Sequence, residues 1–355
     1  MFDRRKRLLS AMILTILLAS ATTAKAQLPN VRAGEIVPRD VREMYDRGLQ
    51  FLASSQGESG DWNGSAGGGE QGAGPTGLAL LALLASGEDP NFGLFSNHIR
   101  KALRSLINGQ DADTGYLGQS MYHHGFGMLA LAEAYGAVDE RNLWPATAKA
   151  GNKAPRSIGQ ALELAVRAAI TSQKQNSLNA WRYSPSSTDA DTSVSGAVLV
   201  GLLAARNAGI EIPDESIDKA ISYYKQMTSP TGQVAYAGIG GFDESTARIS
   251  IATLVYAVAR RKDLSEYKAT IGYLTQHLEQ TGNGWPEYAM YYQAQALFQG
   301  DVIAWEKWNK MLVRRLKQAQ QANGSFTGQN GPTVSTAMSL LALALNYRFL
   351  PIYER

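Results

Sequence analysis

The segment RGLQFLASSQGESGDW, residues 47–62, decides the fold that the rest of the sequence predicts. Apolar residues at helical spacing lead to Gln56, and a glycine turn then carries Trp62. Glycine permits the left-handed backbone that often follows a helix, so the segment predicts a helix end and a tight turn towards a second helix. Weaker copies recur along the chain, which indicates a repeat architecture.

About six copies can be traced, each with two helical segments around a turn. The aromatic residue of the turn recurs at Trp62, Tyr116, Trp181, Trp285 and Phe326. No alternating apolar run is long enough to predict a sheet, so the fold class is all-α. The clearest helical segments are residues 41–55, 75–84, 125–135, 161–173, 197–205, 217–226, 246–258, 267–278, 288–298, 311–321 and 332–340.

The two helices of each copy differ in polarity. First helices, such as residues 99–106, mix charged with apolar positions, as a half-exposed outer helix does. Second helices, such as residues 78–84, are apolar nearly all round, as a buried inner helix requires. Residues 38–43 resemble a capping box for the first outer helix, and inner helix starts are marked by Pro75, Pro332 and Asp191-Thr192.

The opening segment resembles the QW motif of squalene and other terpenoid cyclases, matched at Arg47, Gly48, Phe51, Leu52, Gln56, Gly60 and Trp62. Gln173, Gln280 and Gln321 keep the glutamine in weaker copies. The resemblance implies an α/α toroid of about six outer and inner helix pairs, as in terpenoid cyclases and the β subunits of protein prenyltransferases. A glutamine can bond two helix ends, and an indole can stack on its amide, so the motif is expected to join neighbouring copies. An open helical solenoid is the alternative.

The N-terminal residues predict export. A basic run at residues 4–7 precedes an apolar run from Leu8 to about Ser20, and Ala24-Lys25-Ala26 fits a cleavage site. We therefore expect a secretory signal peptide over residues 1–26, a linker over 27–39 and a single toroid domain over 40–355, located in the periplasm or outside the cell. An uncleaved N-terminal anchor is the alternative.

Removal of the leader changes the charge of the chain. The leader carries five basic residues and one acidic residue, so its loss takes the formal net charge from +3 to about −1. The sequence pI of 8.9 therefore gives no support to nucleic-acid binding. The chain has no cysteine, which excludes disulfides, thiolate zinc sites and a cysteine nucleophile.

Polar and aromatic residues near the inner helix starts are the candidate ligand-binding residues, because a toroid gathers those helix N-termini at one end of its central cavity. They are Glu70, Gln71, Tyr122, His123, His124, Asp189, Asp191, Asp243, Glu244, Trp285, Glu287, Tyr288, Tyr291 and Tyr292. The aromatic residues among 285–292 recur at helical spacing. They fit an apolar wall for a prenyl chain or a platform for sugar stacking, but a packing seam between inner helices is favoured.

Two motif comparisons argue against known chemistries. Asp189-Ala190-Asp191-Thr192 resembles the D-x-D-D acid motif of class II terpenoid cyclases, but Thr192 replaces the last acid in one register and Ala190 replaces the acid in the other. Asp191 is therefore expected to cap a helix rather than to act as an acid. Residues 68–72, GGEQG, resemble the thioester segment of complement-like proteins, with Gly68 in place of the reactive cysteine.

The adjacent histidines His123 and His124 cannot face the same way on a helix, and no His-x-x-x-His pair supports them as metal ligands. Protein prenyltransferases hold zinc with Asp, Cys and His, a set that this chain cannot supply without cysteine. We expect no metal and no cofactor.

Each catalytic pattern lacks a necessary member, so the sequence favours a non-catalytic module that binds a ligand in its cavity or a protein partner. The alternatives are an isoprenoid enzyme similar to squalene and terpenoid cyclases, and a polysaccharide lyase or hydrolase on the same toroid. Asp189, Asp191 and Glu287 are the candidate catalytic residues for those alternatives.

Overall fold

The structure, a computed structural model, describes residues 37–63, 71–145, 155–238, 240–280, 284–347 and 350. In these residues the only strand-like pairing is a single bridge between Thr228 and Val234, and the all-α prediction is confirmed. The α-helices are α1 (Arg39–Ser55), α2 (Ala73–Leu84), α3 (Ser96–Gly109), α4 (Met121–Ala134), α5 (Ile158–Gln175), α6 (Thr192–Asn207), α7 (Asp214–Gln226), α8 (Thr246–Val258), α9 (Ser265–Gln276), α10 (Pro286–Gly300), α11 (Val302–Ala319) and α12 (Gly331–Ala344).

These helices form six units, each an odd-numbered outer helix followed by an even-numbered inner helix. Unit 1 is α1 and α2, and unit 6 is α11 and α12. Each inner helix packs against the next, and α12 packs back against α2, so the inner helices form a closed ring. The outer helices α11 and α1 are also in contact. The predicted α/α toroid is therefore confirmed, and the open solenoid is wrong.

Inner and outer helices differ in burial as their sequences predict. In α4 every residue except Tyr122 is buried, whereas α3 buries one stripe that includes Ile99, Leu103 and Leu106. A Cβ added to Gly125 of α4 would lie 2.6 Å from the carbonyl carbon of Ala197 in α6. Inner helices therefore approach each other backbone to backbone, and glycine allows that approach.

The turn of unit 1 shows how neighbouring units are joined. Gln56 follows α1 directly, and its side-chain amide donates to the carbonyl of Gly60 in the turn (2.9 Å) and to that of His98 in α3 (3.0 Å). One side chain thus ties its own turn to the next outer helix, and we call this pair of bonds the glutamine staple. The staple recurs from Gln110 to Gly115 and Ala161, from Gln173 to Asn179 and Ser216, and from Gln320 to Gly324 and Met44.

The staple of unit 6 closes the ring, because Met44 belongs to α1. The repeat pattern predicts this role for Gln321, but the structure gives it to Gln320, whose amide oxygen also accepts from Arg47 (2.5 Å). The side chain of Gln321 instead donates to Ala319 at the surface. Gln320 is the residue directly after α11, the same position that Gln56 has after α1.

The tryptophans of the turns act through hydrogen bonds. The indole nitrogen of Trp62 donates to the carbonyl of Leu52 (2.9 Å), and that of Trp181 donates to Ala169 (2.9 Å). Both indoles are buried and both acceptors lie on the preceding outer helix. Each of these bonds holds the turn against its own unit.

Helix starts agree with the sequence in one case and differ in another. Asp191 caps α6 by accepting from the amide of Val194 (2.8 Å), as predicted. The capping box expected at residues 38–43 is absent, because Pro38 is the N-cap residue and Glu43 pairs with Arg39 (2.6 Å). Among the described residues, no helix combines the length and apolar character that crossing a membrane requires.

Candidate functional site

The starts of inner helices α4, α6 and α8 meet at one end of the toroid. The amide of Met121, at the start of α4, donates to the carbonyl of Tyr183 in the turn before α6 (2.8 Å). The amide of Thr192, at the start of α6, donates in turn to Tyr236 before α8 (3.0 Å). We call the surface formed by these turns and helix starts, residues 181–193, 234–238, 240–248 and the first turns of α4 and α10, the rim.

Arg182 is the central residue of the rim. Its guanidinium lies 3.2 Å from the carboxylate of Asp189 and 3.9 Å from that of Asp191. The same group lies over the rings of Tyr183 and Tyr236, at 5.8 and 5.5 Å from their centroids. A planar guanidinium suits both partners, since it pairs with carboxylates at its edge and with aromatic rings at its face.

Asp191 is fully buried beneath this surface. One carboxylate oxygen caps α6, and the other faces Arg182. Burial raises the pKa of Asp191 to about 6, although the amides of Val194 and Ser193 and the charge of Arg182 act in the opposite direction. A carboxyl with such a pKa changes its charge near neutral pH.

Tyr236 connects the two halves of the rim. Its hydroxyl lies 3.0 Å from that of Tyr183. The guanidinium groups of both Arg182 and Arg248 lie over its ring, that of Arg248 at 5.9 Å from the centroid. Arg248 donates to the carbonyl of Val234 (2.9 Å) and forms an ion pair with Asp243. Burial and the hydrogen bond to Tyr183 raise the pKa of Tyr236 well above its usual range, so its hydroxyl stays protonated.

A bridge of tyrosines crosses the centre of the ring. The hydroxyls of Tyr122 on α4 and Tyr288 on α10 lie 3.1 Å apart, and these two helices are on opposite sides of the ring. Phe126, one turn further along α4, meets Tyr291 of α10 with ring centroids 6.3 Å apart. Tyr292 packs edge-on against Tyr288 at 4.9 Å. At this level, aromatic side chains occupy the space that an open cavity would need.

The structure places predicted candidates at the rim, in the central bridge and at other positions near the inner helix starts. Asp189, Asp191 and Asp243 lie on the rim, and Tyr122, Tyr288, Tyr291 and Tyr292 form the central bridge. Glu244 is exposed beside Asp243, Trp285 is half exposed before α10, Gln71 is exposed before α2, and Glu287 is half-buried on α10. Glu70 lies outside the described residues.

The two histidines belong to the packing of α4. The ring of His124 is fully buried and uses both nitrogens, one near the carbonyl of Ala165 (2.9 Å) and the other accepting from the amide of Leu117 (3.2 Å). Burial lowers the pKa of His124 to about 4, so it is neutral near pH 7. His123 is buried beside Gly74 of α2. Both ring nitrogens of His124 are therefore occupied within the protein, and the prediction that it binds a ligand is wrong.

Four residues that organise the rim do not appear among the sequence-based candidates: Arg182, Tyr183, Tyr236 and Arg248. Arg182 and Tyr183 follow the turn tryptophan Trp181 and were interpreted only as part of the repeat. An available signal was the pair Arg182-Tyr183 in the same turn as the acidic residues Asp189 and Asp191, with only residues 184–188 between them. In the part of the chain that the structure describes, no three His, Asp or Glu side chains converge in a group suited to a metal ion.

Comparison with known proteins gives the fold. No protein-family model and no curated protein matches the chain. Among solved structures, an inactive variant of an α-1,6-mannanase of glycoside hydrolase family 76 from Salegentibacter sp., in complex with α-1,6-mannotriose, aligns with TM-score 0.61 and 10% identity, over 86% of this chain and 98% of that one. A type II terpene cyclase from Scytonema aligns with TM-score 0.56 and 13% identity, over 86% and 97%. A family 76 enzyme from Bacteroides thetaiotaomicron aligns with TM-score 0.58 and 11% identity, over 86% and 99%.

Proposed function

We propose that the protein binds polysaccharide chains at the rim and acts on them. The observation that carries the proposal is the cluster around Arg182, in which Tyr183, Tyr236 and Asp189 are gathered on one guanidinium. Sugar rings pack their C–H faces on aromatic side chains, and their hydroxyls bond to carboxylates and guanidinium groups. Trp285, 50% exposed before α10, adds a further aromatic surface at this end of the toroid.

The solved structures of similar fold support this proposal over the non-catalytic module that the sequence favoured. The Salegentibacter toroid is a mannanase that was solved with a bound mannotriose, and the Bacteroides toroid is described as a mannosidase. Both are assigned to glycoside hydrolase family 76, and hydrolysis of a polysaccharide is one of the alternatives that the sequence leaves open. Their low identity to this chain transfers no residue, so the proposal rests on the rim itself.

The central bridge gives the isoprenoid alternative less support. An isoprenoid chain needs an apolar cavity of its own length, and here tyrosine hydroxyls meet in the middle of the ring. Tyr122, Tyr288 and the carbonyl of Ser193 bring polar atoms to the place where such a cavity would open. The Asp191 carboxyl, which a cyclase would expose to its substrate, is buried and caps α6.

Bond cleavage at the rim is part of the proposal because Arg182 holds one carboxyl, Asp189, where a glycan can reach it, and a second, Asp191, in the buried layer below. A single reachable carboxyl can assist hydrolysis by giving a proton to the leaving glycosidic oxygen while water adds to the sugar carbon. Asp191 has a pKa of about 6, and Asp189 is 65% exposed on the other side of the guanidinium. In this arrangement Asp189 is the carboxyl that a glycan can touch, and Asp191 acts through Arg182 as a positioning residue.

Affinity gel electrophoresis tests binding. Neutral polysaccharides such as mannan, xylan and β-glucan are cast into native gels, and retardation of the protein is measured against polysaccharide concentration. Tyr183→Ala is expected to weaken retardation about tenfold, as loss of an aromatic contact does at a binding site. The matched control is Phe92→Ala, which removes an aromatic side chain that is 83% exposed in the loop after α2, at the other end of the toroid.

Release of reducing ends from the retarding polysaccharide tests cleavage. Asp189→Asn is expected to lower that release about 100-fold or more, since a carboxyl that transfers protons contributes at least that much. Unretarded migration in every polysaccharide gel would overturn the proposed function as a whole. Retardation without any release of reducing ends would overturn the cleavage step and leave binding standing.

A further inference from the structure

We infer that the rim selects uncharged glycans and rejects acidic ones, an inference that rests on the proposed function. It follows from where the charged groups of the rim lie relative to solvent. The two guanidinium groups lie below the surface, and the carboxylates stand above them. A ligand that approaches the rim therefore meets negative charge first.

The exposures of the four paired side chains show this layering. The side chains of Arg182 and Arg248 are 25% and 12% exposed, whereas their partners Asp189 and Asp243 are 65% and 70% exposed. Both guanidinium groups lie over the ring of Tyr236. Their carboxylate partners close the open side of each guanidinium.

The arginines are also engaged by groups that a ligand does not displace. Arg248 donates to the backbone carbonyl of Val234, and Arg182 faces the buried Asp191. A uronate carboxylate could reach a guanidinium only by displacing Asp189 or Asp243, which would leave that carboxylate beside the incoming one. Repulsion between the two makes this exchange unfavourable.

The charge balance of the rim points the same way. The exposed carboxylates Asp189, Asp243 and Glu244 stand against the guanidinium groups of Arg182 and Arg248, so carboxylates outnumber guanidinium groups at the surface of the rim. Uncharged hydroxyls can donate to these carboxylates without any electrostatic cost, and the faces of Tyr183 and Tyr236 carry no charge. The exposed carboxylates Asp189 and Asp243 are thus the residues that determine specificity.

The experiment compares retardation in gels of neutral mannan and of polygalacturonate at low salt. The wild-type protein is expected to bind the neutral polymer at least about tenfold more tightly, as two exposed like charges near the ligand require. The double substitution Asp189→Asn with Asp243→Asn is expected to raise the ratio of acidic to neutral binding about tenfold. The control Glu163→Gln, an exposed carboxylate on outer helix α5, is expected to leave the ratio unchanged.

Salt separates charge selection from other causes. Added salt screens charges at the surface, so the preference for mannan should shrink between 20 and 500 mM NaCl, roughly as the Debye length falls below 10 Å. Tighter binding of polygalacturonate by the wild type, or a ratio that the double substitution does not change, would overturn the inference while the proposed function stands. Absence of retardation in both gels overturns the proposed function and this inference with it.

Discussion

Neighbouring units are joined by two features, the glutamine staple and a turn glycine that packs against the next outer helix. Unit 3 has only the first and unit 4 has only the second. Unit 3 has the staple from Gln173, but Asn179, with φ of 55°, stands where other units have the turn glycine. Unit 4 has the turn glycine, Gly232 with φ of 89°, but Gln226 at the end of α7 is exposed and makes no staple among the described residues. Unit 1 has both, at Gln56 and Gly60. The glutamine and the glycine are therefore separable contributions to one contact.

The second feature, the turn glycine, makes a backbone contact. A Cβ on Gly232 would overlap the carbonyl oxygen of Ala269 in α9, the next outer helix. The same overlap would arise at Gly60, Gly115 and Gly324, each against the outer helix that follows. Unit 4 thus brings its turn against α9 as closely as the stapled units do, and the small bridge between Thr228 and Val234 supports that turn.

The largest effect is expected from Gly232→Ala. The added Cβ meets backbone atoms of Ala269, which cannot move aside as a flexible side chain would, and alanine is strained at a positive φ. We expect a loss of about 3–4 kcal/mol in the free energy of unfolding, measured by urea denaturation. The loss should be larger in unit 4 than for the same substitution at the turn glycine of a stapled unit, because unit 4 has no glutamine staple to hold its turn against the next outer helix.

Gly209→Ala is the matched control for that substitution. Gly209, between α6 and α7, also has a positive φ (95°), but a Cβ there would meet nothing within 4 Å. Its expected cost is about 1 kcal/mol, the backbone strain alone. Equal losses for the two alanine variants would show that the contact with α9 contributes nothing and that φ explains both.

The second effect is expected from Gln173→Ala in unit 3. Loss of the side chain leaves the buried carbonyl of Ser216 and the carbonyl of Asn179 without their donor. Two such losses predict a decrease of about 2–3 kcal/mol in the free energy of unfolding. Gln226→Ala, at the corresponding place in unit 4, should change that free energy by less than about 0.5 kcal/mol. A large effect of Gln226→Ala would contradict the view that unit 4 lacks the glutamine staple.

The repeats made the architecture predictable, because the same pattern of helix, turn and helix occurs in several copies along the chain. Gln56, Gly60 and Trp62 in unit 1 were enough to identify turns, and apolar composition separated inner from outer helices. The wrong choice of Gln321 over Gln320 shows the limit. Both residues end the same helical pattern, and only the exact register of α11 decides which side chain faces Met44 and Gly324.

The candidate site was less predictable because it depends on contacts between units. Arg182 is a candidate site residue because it pairs with Asp189 on its own loop and lies over the ring of Tyr236. Tyr236 lies 54 positions further along the chain and belongs to unit 4. Tyr122 and Tyr288 meet only because the ring closes, and helical spacing along α10 gives no information about a partner on α4. Composition near the helix starts could identify candidates, but not which of them converge.

Units 3 and 4 also differ in whether the N-cap of their inner helix can titrate. Unit 3 caps α6 with the buried Asp191, and unit 4 caps α8 with Ser245. The folded pKa of Asp191, about 6, lies above the usual value of 3.8, so folding favours the protonated carboxyl. Its contribution to stability is complete below about pH 4 and is lost as the pH rises through 6. Asp191→Asn keeps a capping side chain and has no charge to bury.

The variant should therefore match the wild type in unfolding free energy near pH 4 and exceed it by about 3 kcal/mol at pH 8. Urea denaturation at each pH measures the difference. Ser245→Asn is the control in unit 4, with a difference from wild type that should not depend on pH, because neither side chain titrates. A difference for Asp191→Asn that is equally flat would mean that Arg182 compensates the carboxylate fully. The burial of Asp191 beneath the rim would then cost the fold nothing at neutral pH.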